Sequence, residues 1–416
     1  MGSVRPSRTF LPALLLAALC APARAQAPSV DFDGRARGVS GEFVLPPHPQ
    51  LSSAAPGADA EASGSVSFGG AVLPLRAFSR TDRIPDLLVK AIDQTKSTLL
   101  LALYELNLPG VADAIVRAKS RGVDVRLIFD KGHATPRAGD AGPTSGPSAE
   151  FQRVVAAGVE TRLLKGGGSW GIMHNKFAVF DGTLLETGSF NWTRGADGKN
   201  FENAIFRADP GLTSLYSAYW EWMWAFGQPT APSIAGDMSS SGLGAPPSDP
   251  SPSVPFRGKV WPRAVFSPEG GTEARLIEAI SICVRSIDVA IFSFYSPTVA
   301  DALIAAQGRG VAVRVVSDIS QSRRSPAIRA LVEAGVDLRL SSGRDGVGML
   351  HHKLMIYDGE LLVAGSYNFS QNAEKFNFES DFFSADRGDL AAYRKEFDAV
   401  WAQAHEPAPG ELPAPK

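Results

Sequence analysis

The chain has 416 residues, 44% of them hydrophobic and 20% charged, with a formal net charge of −2. These values exclude a collagen-like or disordered composition and leave room for two domains or two fused halves. The mild acidity weighs against a long basic track for nucleic acid, although a local basic groove stays open.

Residues 1–25 read as a secretory signal. Arg5 and Arg8 make a basic start, 11–20 is a short apolar run, and Ala23-Arg24-Ala25 is a small-x-small cleavage pattern. The run is too short to span a bilayer. Cys20 raises lipid anchoring, but bulky Leu19 stands where a small residue is expected. An exported protein, periplasmic or secreted and without a lipid anchor, is the expectation. Removing the segment takes away three arginines and no acid, which moves the net charge from −2 to −5. It also leaves Cys283 as the one cysteine, so no intramolecular disulfide can form.

Residues 26–64 are rich in Ala, Gly, Pro and Ser and are expected to form a flexible N-terminal segment. Residues 65–79 alternate and carry Gly69-Gly70, the pattern of a hairpin. Helical spacing of apolar residues follows over 84–96. The near-continuous apolar run 97–106 suits a strand buried on both faces. A helix over 111–119 stops at Arg121-Gly122, and 123–129 is a second buried strand. Such alternation of strand and helix argues for an α/β layer on a parallel or mixed sheet.

The same order then returns. Phe78-Ser79 is answered by Phe266-Ser267, and V-A-D-A at 111–114 by V-A-D-A at 299–302. R-G-V-D-V-R-L-I-F-D, ending at Asp130, is answered by R-G-V-A-V-R-V-V-S-D, ending at Asp318, an offset of 188. By Gly158 and Gly335 the offset is 177, so the first half carries 11 extra residues between Asp130 and about Glu150. That insertion is made of Gly, Pro and Ser and belongs in a surface loop. Helices over 212–226 and 390–402 close the two halves. The aromatic run Tyr219-Trp220-Glu221-Trp222 in the first of them is expected to pack on a sheet. The expected organisation is a first repeat over 65–227, a linker over 228–257, a second repeat over 258–404 and a disordered Pro-rich tail over 405–416.

Inside each half lies one cassette. The first reads M-H-N-K-F-A-V-F-D, then G-S-F-N, then N-F-E; the second reads L-H-H-K-L-M-I-Y-D, then G-S-Y-N, then N-F-E. His174, Lys176, Asp181, Gly188, Ser189, Asn191 and Glu202 each stand 177 residues before His351, Lys353, Asp358, Gly365, Ser366, Asn368 and Glu379. No insertion or deletion falls within the cassette. The apolar stretch before each Asp-Gly reads as a strand running into a turn. His174 and Lys176 are two apart and share a face of that strand, as do His351 and Lys353. A histidine and a lysine on one face of an apolar strand are costly unless that face opens on a polar pocket. A lone histidine is most often a hydrogen-bonded core residue, and a lone Asp-Gly is a turn, a role expected in part of Asp181 and Asp358. Two cassettes in register at every position are not explained that way. His352 should point to the opposite face, and His48, His133 and His405 have no partner pattern.

H-x-K-x4-D-x6-G-S-x-N, present twice, resembles the phospholipase D superfamily, and the resemblance covers about residues 76–404. It implies two repeated α-β-α sandwich halves in a pseudo-two-fold arrangement, with the active site at their interface. It also implies cleavage of phosphodiesters through a phosphohistidine, with no metal or other cofactor. The implied catalytic residues are His174, Lys176, Asp181, His351, Lys353 and Asp358. Ser189, Asn191, Ser366 and Asn368 would bind the phosphate, and Glu202 and Glu379 would each orient a histidine. Within that pattern His174 is the nucleophile and His351 the acid/base.

The residue chemistry agrees. A phosphodiester repels nucleophiles, so cleavage needs a nucleophile, an acid for the leaving oxygen and cations around the non-bridging oxygens. Two imidazoles serve the first two needs. Two lysines supply charge that a metal would otherwise bring, and the asparagines and serines supply neutral donors. The histidines and carboxylates could also suggest a metal site, but the adjacent lysines would repel the ion.

The leading expectation is a phospholipase D that acts on phospholipid as a monomer and releases phosphatidic acid and a head-group alcohol. An exported nuclease is a second reading, with Arg323 and Arg324 contacting the backbone. A phosphatidyl transferase is a third, because an alcohol can replace water in resolving the phosphohistidine. Such synthases usually carry membrane helices, and nothing after residue 25 is apolar for long enough. A binding module with a decayed site is disfavoured by the completeness of both cassettes.

Overall fold

The computed structural model describes residues 64–135, 146–229 and 244–412. The expected signal, nearly all of the 26–64 segment, the centre of the inserted loop, the centre of the linker and the last four residues lie outside them.

In the first half, β1 (Ser65–Phe68) and β2 (Ala71–Pro74) pair antiparallel across Gly69 and Gly70, both at positive φ, which is the hairpin the sequence predicts. The main strands follow in chain order: β3 (Arg76–Phe78), β4 (Thr98–Leu103), β5 (Asp124–Asp130), β6 (Glu160–Leu164), β7 (Lys176–Phe180), β8 (Leu184–Gly188), β9 (Asn203–Arg207) and β10 (Gln228–Pro229). They form one eight-stranded sheet in the order β10-β6-β5-β4-β7-β8-β9-β3. Strands β4, β5 and β6 are parallel, and the helices Pro109–Ser120 and Ala149–Ala156 supply their crossovers. From β7 onward the pairing is antiparallel. The cassette therefore sits in the antiparallel part of the sheet, beside the parallel part.

The second half repeats this plan. A short hairpin of β11 (Val254–Phe256) and β12 (Lys259–Trp261) precedes β13 (Ala264–Ser267), β14 (Ser286–Ile291), β15 (Ala312–Asp318), β16 (Asp337–Ser341), β17 (Lys353–Tyr357), β18 (Leu361–Gly365) and β19 (Glu379–Ser384). The last seven form a sheet in the order β13-β19-β18-β17-β14-β15-β16. The protein is thus a mixed α/β fold of two repeated halves, each with one mixed sheet.

Each sheet is buried on both faces. In the first half one face packs on helices Ile84–Gln94 and Pro109–Ser120. The other packs on helix Pro210–Phe226, whose cluster takes in Phe266 and Phe378 of the second half. The ring of Tyr219 stacks on Phe266 at 4.0 Å, and Trp220 is fully buried, so the aromatic run packs on the sheet as expected. The reciprocal cluster joins Phe78, Phe201 and Ile205 of the first half to Tyr393, Phe397 and Trp401 in helix Arg387–Gln403. Each half therefore completes a core of the other.

Two boundaries differ from expectation. The described ends of the linker are ordered as β10, which pairs with Arg162 and Leu163, and as β11. The tail as far as residue 412 is docked rather than disordered. His405 bridges Leu340, and the Leu412 carbonyl accepts a hydrogen bond from Arg329. In both places backbone polar groups find partners on a sheet or helix, which a composition-based reading cannot foresee.

Candidate active site

Both histidines stand just ahead of a buried strand, His174 before β7 and His351 before β17. Their backbone is stitched to the other half. The His174 amide donates to the Phe378 carbonyl at 2.9 Å, and the His351 amide donates to the Phe201 carbonyl at 3.0 Å. Phe378 precedes Glu379 and Phe201 precedes Glu202, so this stitching delivers each glutamate to the histidine of the opposite half. His174 Nδ1 lies 2.7 Å from Glu379 Oε2, and His351 Nδ1 lies 2.9 Å from Glu202 Oε2. All four side chains are buried.

The carboxylates are held in place from several sides. Ser366 Oγ donates to Glu379 at 2.6 Å and Asn377 Nδ2 donates at 2.8 Å. Ser189 Oγ donates to Glu202 at 2.7 Å and Asn200 Nδ2 donates at 3.2 Å. Burial alone would raise both glutamates. The facing histidine, the nearby lysine and the serine hydroxyl together hold each of them below the ordinary range. An ionised glutamate accepts, so Nδ1 of each imidazole carries the hydrogen and Nε2 keeps a lone pair. Burial, with the lysines as a further cause, lowers both histidines to about 4 against the pull of their glutamates. Both imidazoles are therefore neutral near pH 7.

The lysines lie beside them. Lys353 Nζ donates to the His351 carbonyl at 2.8 Å, and Lys176 Nζ donates to the His174 carbonyl. Lys176 sits over the Tyr104 ring at 4.9 Å and Lys353 over Phe292 at 5.0 Å. Burial lowers Lys353 to about 8 and Lys176 well below its ordinary value, with the glutamates opposing the shift in each case. The pocket thus gathers two carboxylates, two lysines and two neutral imidazoles. Among the described residues, no group of three or more His, Cys, Asp or Glu side chains is arranged to hold a metal ion.

Other predicted residues fall elsewhere. Asp181 and Asp358 are not at the site. Each follows its strand in the left-handed region, at φ 51° and 53°. Seven steps of extended chain separate Asp181 from His174, a span of roughly 20 Å. The Asp181 carboxylate accepts the backbone amides of Lys96, Ser97 and Thr98, at 2.7–3.1 Å, and so ties the turn after β7 to the start of β4. Asp358 does the same for Val284, Arg285 and Ser286 and also pairs with Arg257. Ser189 and Ser366 give their hydroxyl hydrogens to the glutamates, which places them behind the dyads rather than against a phosphate. Gly188 and Gly365 make that arrangement possible: a Cβ there would meet the Asn203 or Ser380 carbonyl at 2.3 or 2.1 Å. Asn368 Oδ1 accepts the Ser293 amide at 3.3 Å, while Asn191 is buried and its Oδ1 has no hydrogen-bond partner among the described residues. His352 points away from the pocket, as expected.

Three sets of residues escaped the sequence reading. Asp130 and Asp318 end β5 and β15 and accept the amides of Met173 and Leu350, each at 3.0 Å, so they fix the residue before each histidine. Their matched positions at offset 188 were the available signal. Asn200 and Asn377 could have been found from the repeated N-F-E. His133 lacks a repeat partner, yet its ring lies 4.3 Å from that of Tyr104, which in turn lies 4.8 Å from His174. A separate cavity of about 630 Å³ is lined by Arg76, Arg207, Arg263, Asp386 and Asp389 among others and touches no cassette histidine. Its arginines are spent on aspartates.

Comparison with known proteins supplies the context. The sequence family described as "Cardiolipin synthase, PLD-like domain" matches residues 88–224 and 276–401. "Mitochondrial cardiolipin hydrolase" of Xenopus tropicalis is 33% identical over 136 residues, which is 32% of this chain and 63% of that protein. The protein of the same name in Homo sapiens is 31% identical over 131 residues, 31% of this chain and 51% of that protein. The chain therefore matches between about half and just under two thirds of the length of these relatives. Among solved structures, phosphatidylserine synthase of Haemophilus influenzae Rd KW20 aligns over 80% of this chain and 87% of its own, with a TM-score of 0.60 and 13% identity, a likeness of fold. A phospholipase D family member from Salmonella typhimurium is 28% identical over 34% of this chain and 94% of its own, with a TM-score of 0.32.

Proposed function

This chain belongs to the phospholipase D superfamily, and from that premise we propose that it is a metal-independent phosphodiesterase working through a phosphohistidine, most naturally a phospholipase D acting on phospholipid. The observation that carries the reading is the pair of crossed dyads, His174 with Glu379 and His351 with Glu202. Each glutamate sets the tautomer that leaves Nε2 free to accept a bond or a proton.

In the proposed reaction His174 Nε2 attacks phosphorus. The bond to the head-group oxygen breaks, and that oxygen takes a proton from His351. The product is the head-group alcohol and a phosphohistidine. His351 then takes a proton from water, the resulting hydroxide attacks phosphorus, and the bond to His174 breaks to release phosphatidic acid. The resting imidazoles are neutral, so the proton on His351 has to be taken up from solvent as the substrate binds. A bound diester anion between the lysines raises the affinity of the site for that proton. Lys176, Lys353, Asn191 and Asn368 would face the non-bridging oxygens and stabilise the charge that builds there. One chain supplies both dyads, which supports a monomer. Export remains part of the proposal and rests on residues 1–25. Among the described residues no helix is long and apolar enough to cross a membrane.

A second reading is phosphatidyl transfer, favoured by the synthase in the family's description. It differs only in the acceptor of the second step.

The test uses the protein purified without residues 1–25, in EDTA. Phosphatidylcholine vesicles, cardiolipin vesicles, and single- and double-stranded DNA are offered in parallel, with His174→Asn as control. Head-group release that the variant lacks supports the phospholipase reading. Transfer to an added alcohol in preference to water favours the synthase, and DNA cleavage without lipid turnover makes it a nuclease. Activity lost in EDTA or retained by the variant overturns the phosphohistidine mechanism.

A further inference from the structure

The two dyads are alike in their immediate partners and unlike in what stands behind them. Asn203 occupies the first residue of β9, and its counterpart at offset 177 is Ser380. Both backbone amides donate to the cassette serine, Asn203 to Ser189 Oγ at 3.0 Å and Ser380 to Ser366 Oγ at 3.1 Å. Only Asn203 adds a side-chain amide. Its Nδ2 lies 3.2 Å from Ser189 Oγ and 2.9 Å from His352 Nδ1.

The hydrogens in this cluster follow from one fixed point. Glu202 is ionised and accepts from Ser189, so Ser189 presents lone pairs to Asn203. Asn203 must then face it with Nδ2, which turns Oδ1 to the Tyr393 hydroxyl at 3.1 Å. The second hydrogen of Nδ2 points at His352 Nδ1, so that nitrogen accepts and Nε2 of His352 carries the proton. Nε2 faces Glu396 Oε1 at 3.5 Å, and Glu396 is held by Arg80 at 2.9 Å. A run of side chains thus extends from Arg80 through Glu396, His352, Asn203, Ser189 and Glu202 to His351, hydrogen-bonded at every link except the 3.5 Å charge contact between Glu396 Oε1 and His352 Nε2, two atoms without a hydrogen-bond partner among the described residues. It crosses between the halves repeatedly, and only Arg80 reaches solvent to any extent. In the other half the positions of His352 and Glu396 are Asn175 and Tyr219, a neutral pair joined at 3.2 Å that contacts no cassette serine through a side-chain amide.

We propose that Asn203 and His352, anchored by Glu396 and Arg80, are positioning residues for His351. They aim the Ser189 hydroxyl at Glu202 and thereby hold the carboxylate that holds the imidazole. The His174 arm lacks this backing, so the two histidines of a pseudo-symmetric site are not equivalent. Fixed donors of this kind matter because a displacement of about 1 Å at a reacting group can cost on the order of a hundredfold in rate. The role in turnover rests on the phosphodiesterase reading above; the positioning itself does not.

The experiment replaces Asn203 with the residue the protein uses in its other half, Asn203→Ser, and reads two quantities. The first is the ¹⁵N imidazole spectrum of the folded protein, with His174→Asn and His351→Asn to assign the signals. The Nδ1–H tautomer of His351 is expected to lose population while that of His174 stays unchanged. The second is steady-state hydrolysis, where kcat should fall about tenfold and KM by less than about twofold, the pattern of a lost transition-state contact. If Asn203→Ser does not fold, His352→Asn reads the same signals. An unchanged His351 signal in a folded variant, or equal changes at both histidines, overturns the proposal. A wild-type protein inert on every diester would sink the functional reading while the spectra still decide this one.

Discussion

Glu379 reaches across the molecule to hold His174, with Nδ1 and Oε2 2.7 Å apart, and Glu202 holds His351 in the opposite sense. Neither half therefore contains a complete dyad. The exchange follows from the bridges Met173 to Phe378 and Phe201 to Leu350, which run between halves.

The crossing predicts which step each glutamate controls. Glu379→Gln should slow formation of a ³²P-labelled phosphohistidine by at least about a hundredfold, since losing the carboxylate partner of a catalytic imidazole has effects of that order or larger. Glu202→Gln should act through His351 and slow release, so that labelled protein accumulates. Rapid quench of both variants distinguishes them. If Glu202→Gln loses labelling and Glu379→Gln keeps it, the assignment of nucleophile and acid/base is reversed.

Acid should destabilise the fold through the same two histidines. Their folded values are about 4, below the ordinary 6.5. Between these limits the unfolded chain binds more protons than the folded one, so stability falls as pH drops from 6.5 to 4 and levels off below. Glu202 and Glu379, held low, lose their contribution in the same direction. Urea midpoints at pH 7 and pH 4.5 should show a loss in the wild type that is smaller in a His174→Asn/His351→Asn double variant. Equal losses would mean that the imidazoles are not buried neutral.

Substrate binding should carry a proton in with it. A diester anion placed between neutral imidazoles raises their proton affinity, whereas diethyl phosphate itself has no group that titrates near neutrality. Calorimetry of diethyl phosphate binding at pH 7, in buffers of different ionisation enthalpy, should report uptake of a fraction of a proton approaching one. His351→Asn should reduce that uptake. Release of protons on binding would contradict the charge distribution described above.

Alkali should remove a cation from the pocket. Burial brings Lys353 to about 8, partly opposed by Glu202 and Glu379. Proton uptake at His351 already makes kcat/KM fall with rising pH, and the decline is expected to steepen as pH passes about 8. Lys353→Arg, whose guanidinium stays charged, should have a lower maximum and keep the shallower decline without the steepening. A wild-type slope that does not steepen up to about pH 10 would show that Lys353 keeps its proton or has no part in binding the anion.

The sequence made legible what repetition exposes. Offsets of 177 and 188 marked the two halves, the mixed sheet and the cassette histidines, lysines and glutamates, because identical spacing in both copies reports a shared constraint. It left illegible what depends on how the copies face each other. The crossing of Glu202 and Glu379 is a relation between halves, and both copies look the same within a half. Asn203 and His352 were obscured for the opposite reason, since their counterparts Ser380 and Asn175 differ in type. Asp181 and Asp358 were read as catalytic and as turn residues at once, because matched spacing reports constraint without saying whether it is chemical or structural.

That last distinction yields a sharp prediction. Asp181 accepts three backbone amides at the edge of β4 and lies at the far end of β7 from His174. Asp181→Asn keeps the shape but replaces one oxygen with a donor facing amide donors, which should cost about 1–3 kcal/mol. For a fold of this size that lowers Tm by a few degrees. Turnover at 25 °C should stay within about twofold of wild type, because the lost bonds tie a turn and touch no group of the dyads. Asp358→Asn should destabilise more, since it also takes the 2.6 Å carboxylate partner from the Arg257 guanidinium and leaves it Glu360 at 3.7 Å. Thermal melts and initial rates on the same preparations check both statements. A folded Asp181→Asn protein with a Tm near wild type and activity down a hundredfold would return the aspartate to the chemistry.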